Sequence, residues 1–364
     1  MKQIRNMIFH IPIQIDLNKH SASQIRPQKM IQAFIDIGYD VDLVMGFAKD
    51  RKEQIHNIKE KIKNGIKYDF LYSENSTMPT ALTEKHHLPT SPFLDFSFLK
   101  YCHNNNIKIG LFYRDIYWKL DSYKKTVPLL KRKFAEFFYN YDLKEYQKFV
   151  DILYVPSLMM YEYMKYPFNN KVITLPPGLD IINRTEKNDT KELSFIYIGG
   201  SSDHLNLELF LDVISSQINV NFNLCTREDE WKKYKKNYNN ILKNTTVYHK
   251  QGLELDEIYN NSDISIYFIK PNEFGYFALG LKLFEYMSHL KPIIAVKGTA
   301  IGNFVESNDI GWSIDYDKDK LSKLIDELKY NKAEIMLKKN NMKNILLQNT
   351  WEARASQVQK DLLK

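Results

Sequence analysis

The residues best placed to do chemistry lie between positions 263 and 295. Asp263-Ile-Ser-Ile-Tyr-Phe-Ile-Lys-Pro271 reads as a buried strand, and a glycine-containing loop follows it. Gly280-Leu-Lys282-Leu-Phe-Glu285-Tyr-Met287 then opens a helix that runs into Lys291-Pro-Ile-Ile-Ala295, a second buried strand. A helix N-terminus presents free N–H groups and the positive end of its dipole, an anion site suited to a pyrophosphate. Glu285 falls in the first turns, where a carboxylate can accept paired hydrogen bonds from the two hydroxyls of a ribose. Lys282 is one turn earlier on the same side. It is placed for a direct contact with the ligand, or for nothing more than an i,i+3 ion pair with Glu285.

Arg227 is the next candidate, in Cys225-Thr-Arg227-Glu-Asp-Glu-Trp231, just past the end of a predicted strand. Ligands of open α/β sheets bind at that edge, and arginine is a usual counter-charge for phosphate. A surface pair with Glu228 or Glu230 is the ordinary alternative.

These groups need a scaffold, and the hydrophobic pattern supplies one. Strand, helix and second strand follow one another through 4–11, 28–37 and 41–45, the mark of a βαβ unit and a parallel sheet. Further strands are expected near 69–72, 108–113, 149–155 and 172–175. After a polar stretch, Asn183 to Lys191, that reads as a linker, the pattern restarts at Leu193 to Ile198. That strand is closed by Gly199-Gly200, and others are expected near 220–225, 246–249, 264–269 and 292–296. The expected fold is therefore α/β, with two tandem Rossmann-like domains.

Taken in order, these segments resemble the GT-B glycosyltransferases, specifically glycosyltransferase family four. The stretch from Lys282 to Ala295 is similar to the family's donor-binding segment. Ile196-Tyr-Ile-Gly199-Gly200 resembles the first strand of its second domain, and Leu175-Pro-Pro-Gly178-Leu-Asp180 resembles the segment before its linker. A final helix with Trp351 resembles the one that crosses back onto the first domain. The resemblance implies two domains facing a central cleft. An acceptor domain would span 1–180 with the terminal helix 344–364, and a nucleotide-sugar domain 190–343.

The resemblance also implies roles. Gly199, Gly200, Arg227, Gly280, Lys282 and Glu285 would bind the nucleotide sugar. Arg114-Asp115, at the end of strand 108–113, stands where family members commonly carry His-Asp. Arg114, Asp115 and Lys282 are the catalytic candidates, with Arg114 able to neutralise charge developing on the leaving diphosphate. Residues 18–27 take the place of the family's glycine-rich loop, so His20, Ser21 and Arg26 are candidates for acceptor or diphosphate contacts. Helix N-capping by Ser21 or Ser23 is equally natural there. One departure stands out: the family's second acidic residue, eight positions before the ribose glutamate, is here Phe277. Glu273 shares that loop at a different spacing.

Composition sets bounds on this reading. The chain has 364 residues, 44% hydrophobic and 26% charged, enough for two cores and ordinary for a globular protein. Its two cysteines, Cys102 and Cys225, make neither a disulfide framework nor a metal cluster. The resemblance implies no metal or other cofactor and retention at the anomeric carbon. The net charge of +7 suits an anionic partner. Lys124, Lys125, Lys131, Arg132 and Lys133 stand beside Leu129, Leu130, Phe134, Phe137 and Phe138. Such a basic amphipathic helix can lie on an anionic leaflet or simply pack on the first sheet. No nucleic-acid module accompanies it, and nucleic acid is not expected. The N-terminus reads as a first strand and not as a signal peptide.

The expected function is transfer of a hexosyl or deoxyhexosyl group from a nucleotide diphosphate sugar to a glycan hydroxyl. The acceptor would be lipid-linked, in bacterial surface polysaccharide (capsule or O-antigen) synthesis, in the cytoplasm or peripherally on the inner membrane face. The alternatives are a non-catalytic GT-B subunit assisting a partner glycosyltransferase, and a nucleotide-sugar epimerase or hydrolase.

Overall fold

The computed structural model describes residues 5–16, 21–182, 192–200, 206–235 and 243–364. The chain divides into two compact units, Met1–Gly178 with Trp351–Lys364, and Leu179–Thr350.

In the first unit, strands β1 (Arg5–His10), β2 (Tyr39–Val44), β3 (Tyr68–Glu74), β4 (Lys108–Phe112), β5 (Ile152–Val155) and β6 (Lys171–Thr174) form one sheet. The connecting helices are α1 (Ala22–Asp36), α2 (Ala48–Lys63), α3 (Leu94–Asn104), α4 (Asp121–Thr126), α5 (Leu129–Phe149) and α6 (Leu158–Met164). The sheet is parallel in the order β2-β1-β3-β4-β5-β6. Parallel strands covered on both faces need apolar side chains on both, and Met7, Ile8 and Phe9 are all fully buried. Phe34 of α1 meets Tyr72 and Phe70 of β3 at ring-centroid distances of 5.4 and 5.8 Å. Burial of a side chain this size contributes about 1.5–3 kcal/mol.

The second unit repeats the plan. Its strands are β7 (Leu193–Ile198), β8 (Val220–Cys225), β9 (Thr245–Tyr248), β10 (Ile264–Tyr267), β11 (Ile293–Val296) and β12 (Gly311–Ile314). Helices α7 (Glu208–Ser216), α8 (Glu228–Tyr234), α9 (Leu255–Asn260), α10 (Glu273–Phe277), α11 (Leu281–Ser288), α12 (Ala300–Ser307), α13 (Lys318–Tyr330) and α14 (Lys332–Ile345) surround them. The parallel order β12-β11-β10-β7-β8-β9 is that of a Rossmann sheet. Its core is built on Phe195, Phe210, Phe222, Ile266 and Val296.

The last helix, α15 (Trp351–Leu362), belongs to the first unit. Gln357 donates to the Thr174 carbonyl at 2.9 Å and Arg354 to that of Pro177 at 3.2 Å. A Cβ on Gly110 would fall 2.8 Å from the Tyr154 ring and 3.0 Å from Leu362, so this helix packs closely over β4 at a glycine. One terminal helix was expected from 344 onward. Instead α14 ends at Ile345, a single 3-10 turn spans Leu347–Asn349, and α15 starts afresh. The basic amphipathic helix expected to carry Lys124 to Phe138 is likewise two, because Pro128 cannot donate to a continuing ladder and serves as the N-cap of α5. The linker expected at 183–191 lies outside the described residues.

Candidate functional site

In the second sheet the chain runs outward from β7 through β8 to β9, then returns to the other side of β7 as β10. The carboxyl ends of β7 and β10 therefore flank the topological switch point, where open α/β sheets take their ligands. Helix α11 reaches this edge, and the Tyr286 hydroxyl accepts from the Ile198 N–H at 3.0 Å.

Lys282 and Glu285 sit on α11, each about one-third exposed, with Nζ 2.7 Å from Oε2 and 3.0 Å from Oε1. The Tyr259 hydroxyl also donates to Oε1, at 2.8 Å. Tyr259 is fully buried and stacks on His289 with centroids 3.6 Å apart. Burial first, and the Glu285 carboxylate next, hold its phenol well above the usual range, so it stays a donor. The carboxylate is thus gripped from below and bridged from one side, with part of it open to solvent.

The neighbouring candidates differ in character. Gly280 is the N-cap of α11 in extended conformation. Gly199 donates to the Cys225 carbonyl at 3.0 Å, and a Cβ there would fall 2.6 Å from the Tyr197 hydroxyl. That hydroxyl donates to the Gly200 carbonyl at 3.2 Å. Arg227 caps α8 and is 69% exposed, its Nη1 2.6 Å from Oε1 of Glu230, the pairing of an ordinary surface arginine. Phe277 is 1% exposed and packs edge-on against Phe274, which makes its place in the loop apolar. Glu273 starts α10, whose N-cap Asn272 accepts from the Gly275 N–H at 2.8 Å.

The first sheet has its switch point between β1 and β3. Arg114, two residues past β4, donates through Nη2 to Oε2 of Glu74 at 3.2 Å, and its N–H to the Asn75 side chain at 2.7 Å. Asp115 accepts from the Thr77 hydroxyl at 3.2 Å and the Tyr117 N–H at 3.2 Å. Burial raises its pKa, against the opposing pull of the Tyr117 N–H and Arg114.

Arg26 was expected in a loop, and it is not there. Helix α1 starts at Ala22 and carries Pro27 inside it, so Arg26 is helical and 4% exposed. It donates to Glu74 at 3.2 Å and lies 3.5 Å over the Phe112 ring. Ser21 is exposed at the N-cap of α1, its Oγ 3.0 Å from that of Ser23. His20 lies outside the described residues.

Glu74 itself was not singled out from the sequence. Nor was the buried chain formed by Ser73, His10, Asp95 and Arg51, linked at 2.8, 2.9 and 2.9 Å. The signal was present: Ser73-Glu74-Asn75-Ser76 is a polar run directly on the apolar Phe70-Leu71-Tyr72, and all four residues are buried.

On α5, Leu129, Leu130, Phe134 and Phe137 are exposed, Leu130 by 85% and Phe137 by 65%, with Lys131 and Lys133 exposed among them. Arg132 is turned inward, donating to the Lys124 carbonyl at 2.7 Å. Among the described residues no helix is long and apolar enough to cross a membrane, and no group of three or more His, Cys, Asp or Glu side chains could hold a metal ion.

The fold is that of known glycosyltransferases. A sucrose-phosphate synthase from Thermosynechococcus elongatus superposes with TM-score 0.66 at 13% identity, covering 98% of each chain. A glycosyltransferase from Rickettsia africae gives 0.66 at 12% identity, covering 99% of each. WaaG, a glycosyltransferase involved in lipopolysaccharide biosynthesis, gives 0.61 at 10%, covering 98% of this chain and 99% of its own. Two Rossmann-like units of this kind define the GT-B class. By sequence, residues 180–345, less than half of the chain, match the family Glycosyl transferases group 1. The two likenesses together support a GT-B glycosyltransferase. None of the curated proteins matches the chain by sequence.

Proposed function

We propose that the protein transfers a hexosyl or deoxyhexosyl group from a nucleotide diphosphate sugar to a hydroxyl of a glycan acceptor, with retention at the anomeric carbon. The observation that carries this is the presentation of Glu285 at the switch point of the second unit, supported by Tyr259 and flanked by Lys282. Its two oxygens are the acceptors for the ribose hydroxyls, and Lys282 exchanges its ion pair for the donor phosphates. Gly199, Gly200 and Gly280 let the donor approach the backbone, and Arg227 leaves Glu230 to meet the diphosphate.

In the reaction the bond between the anomeric carbon and the diphosphate oxygen breaks, and the acceptor oxygen bonds to that carbon. The acceptor proton passes to the departing diphosphate. Lysine and arginine charges stabilise that leaving group in place of a metal ion. Arg114 and Asp115 are the first unit's proposed contribution to this step. The buried Phe277 keeps a carboxylate away from its position, so recognition of the sugar differs from the family pattern.

The acceptor is proposed to be lipid-linked, in bacterial surface polysaccharide assembly at the inner membrane face. Leu130, Phe134 and Phe137 on α5, interleaved with exposed lysines, suit an anionic leaflet, where apolar burial and lysine attraction add. The assay is incubation with nucleotide sugars and lipid-linked or short soluble glycans, following nucleoside diphosphate release and the mass of the acceptor together. Release coupled to a mass gain of one sugar is expected. Free sugar or its epimer without acceptor gain would select a hydrolase or epimerase. Absence of nucleotide binding would select a non-catalytic subunit.

A further inference from the structure

Arg26 is a buried cation whose hydrogen bonds are incomplete. Nε donates to Oε1 of Glu74 at 3.2 Å, and Nη2 reaches the Tyr72 hydroxyl and the Leu175 carbonyl, both at 3.4 Å. Nη1 is buried with no hydrogen-bond partner. Arg114 shares the same carboxylate through Nη2, and its Nε and Nη1 are also buried without partners. Two guanidinium groups therefore hydrogen-bond one carboxylate, and the buried Asp115 is a second acid that feels the charge of Arg114.

A third arginine crowds them. Burial, and next the charge of Arg26, bring the pKa of Arg354 on α15 down to about 10. A buried donor left without a partner forfeits its hydration for nothing, and a buried charge in excess costs more. The position of the excess matters. Glu74 ends β3, Arg114 follows β4 and Leu175 follows β6, so the cluster stands at the carboxyl edge beside the β1–β3 switch point.

We propose that Arg26, Arg114 and Glu74 form a phosphate-binding site within the first unit. Phosphate oxygens take the hydrogen bonds that Nη1 of Arg26 and Nε and Nη1 of Arg114 now lack. Arginine suits the task, since its planar fork matches two oxygens of one phosphate. Arg114, with 12% of its side chain exposed, is the approach side, and Arg26, stacked on Phe112, is the fixed wall. Glu74 holds both guanidinium groups in register while tempering their charge, which keeps the site reversible. The phosphate comes either from the donor diphosphate or from a phosphate carried by the acceptor. Only that choice of source rests on the transferase reading.

The test uses the full chain with inorganic pyrophosphate as probe, titrated calorimetrically. A Lys282→Ala, Arg227→Ala background removes the basic side chains proposed for the second unit. Pyrophosphate should still bind in this background, and Arg114→Gln should weaken it about ten- to a hundred-fold, the loss of charge-assisted hydrogen bonds. Glu74→Gln should unfold at a lower temperature than the parent in plain buffer and recover more than the parent when pyrophosphate is added. Because Glu285 plays no part here, adding Glu285→Gln to the Lys282→Ala, Arg227→Ala background should leave pyrophosphate affinity unchanged. Displacement of pyrophosphate by a saturating nucleoside diphosphate in the Lys282→Ala, Arg227→Ala background assigns the site to the donor, and continued binding there assigns it to the acceptor. Pyrophosphate affinity indifferent to Arg114→Gln, or a Glu74→Gln midpoint that ignores pyrophosphate, would overturn the proposal.

Discussion

The hydroxyl of Tyr259 donates to Oε1 of Glu285 at 2.8 Å, and this buried contact fixes how a partly exposed carboxylate is presented. Tyr259→Phe keeps the ring stacked on His289 and removes only the hydroxyl. It should fold normally and weaken nucleoside diphosphate binding about three- to tenfold, the effect of one hydrogen bond worth about 0.5–1.5 kcal/mol. Calorimetry would show this, and unchanged affinity would reduce Tyr259 to a packing residue.

Arg227 projects into solvent with Glu230 as its partner, so Arg227→Ala should change stability by no more than about 0.5 kcal/mol. Its effect should appear in the preference for nucleoside diphosphate over monophosphate, measured with both ligands. A shrunken preference is expected. Equal weakening of both ligands would leave Arg227 a surface residue.

Asp142, on α5, is buried with Oδ2 accepting from the Thr80 N–H at 2.7 Å and Oδ1 without a partner. Burial pushes its pKa up to about 8. The folded chain therefore keeps a proton that the unfolded chain releases near pH 4. Stability should fall as pH climbs between those values, with a slope approaching about 1.4 kcal/mol per pH unit from this group. Asp142→Asn should flatten that fall and be the more stable protein at pH 8, seen in urea midpoints across pH 4–9. A parallel pair of curves would show that Asp142 is ionised in the folded state.

The exposed face of α5 invites a direct trial on vesicles. With Leu130 and Phe137 changed to Ser, and Lys131 and Lys133 to Glu, the protein should leave anionic vesicles, most clearly at low salt. Each basic residue near the surface contributes about 1 kcal/mol, and the attraction fades within a Debye length. Transfer to a short soluble acceptor should persist. Wild-type protein that ignores anionic vesicles at low ionic strength would contradict a membrane role for α5.

The fold was readable because its strands are buried on both faces and announce themselves as apolar runs. Leu193–Ile198 and Val220–Cys225 fall where that pattern put them. β12 was missed because Gly311-Trp-Ser-Ile314 is short and half polar. Lys282 and Glu285 were legible because they share one helix, and their separation fixes their contact. Arg26 was not, since Pro27 looked like a boundary and is instead carried inside α1. Ser73, His10 and Asp95 come together only because β3 pairs with β1 and α3 packs nearby, which spacing along the chain does not encode.

The most direct measurement is a calorimetric titration of UDP, GDP and dTDP into the wild type and Glu285→Gln. One of the three nucleotides should bind the wild type. The substitution should weaken it about ten- to a hundred-fold, since a hydrogen bond to a charged group contributes about 1.5–3 kcal/mol. Binding of none of the three, or binding that ignores the change at Glu285, would contradict a nucleotide-sugar site at the carboxyl edge of the second sheet.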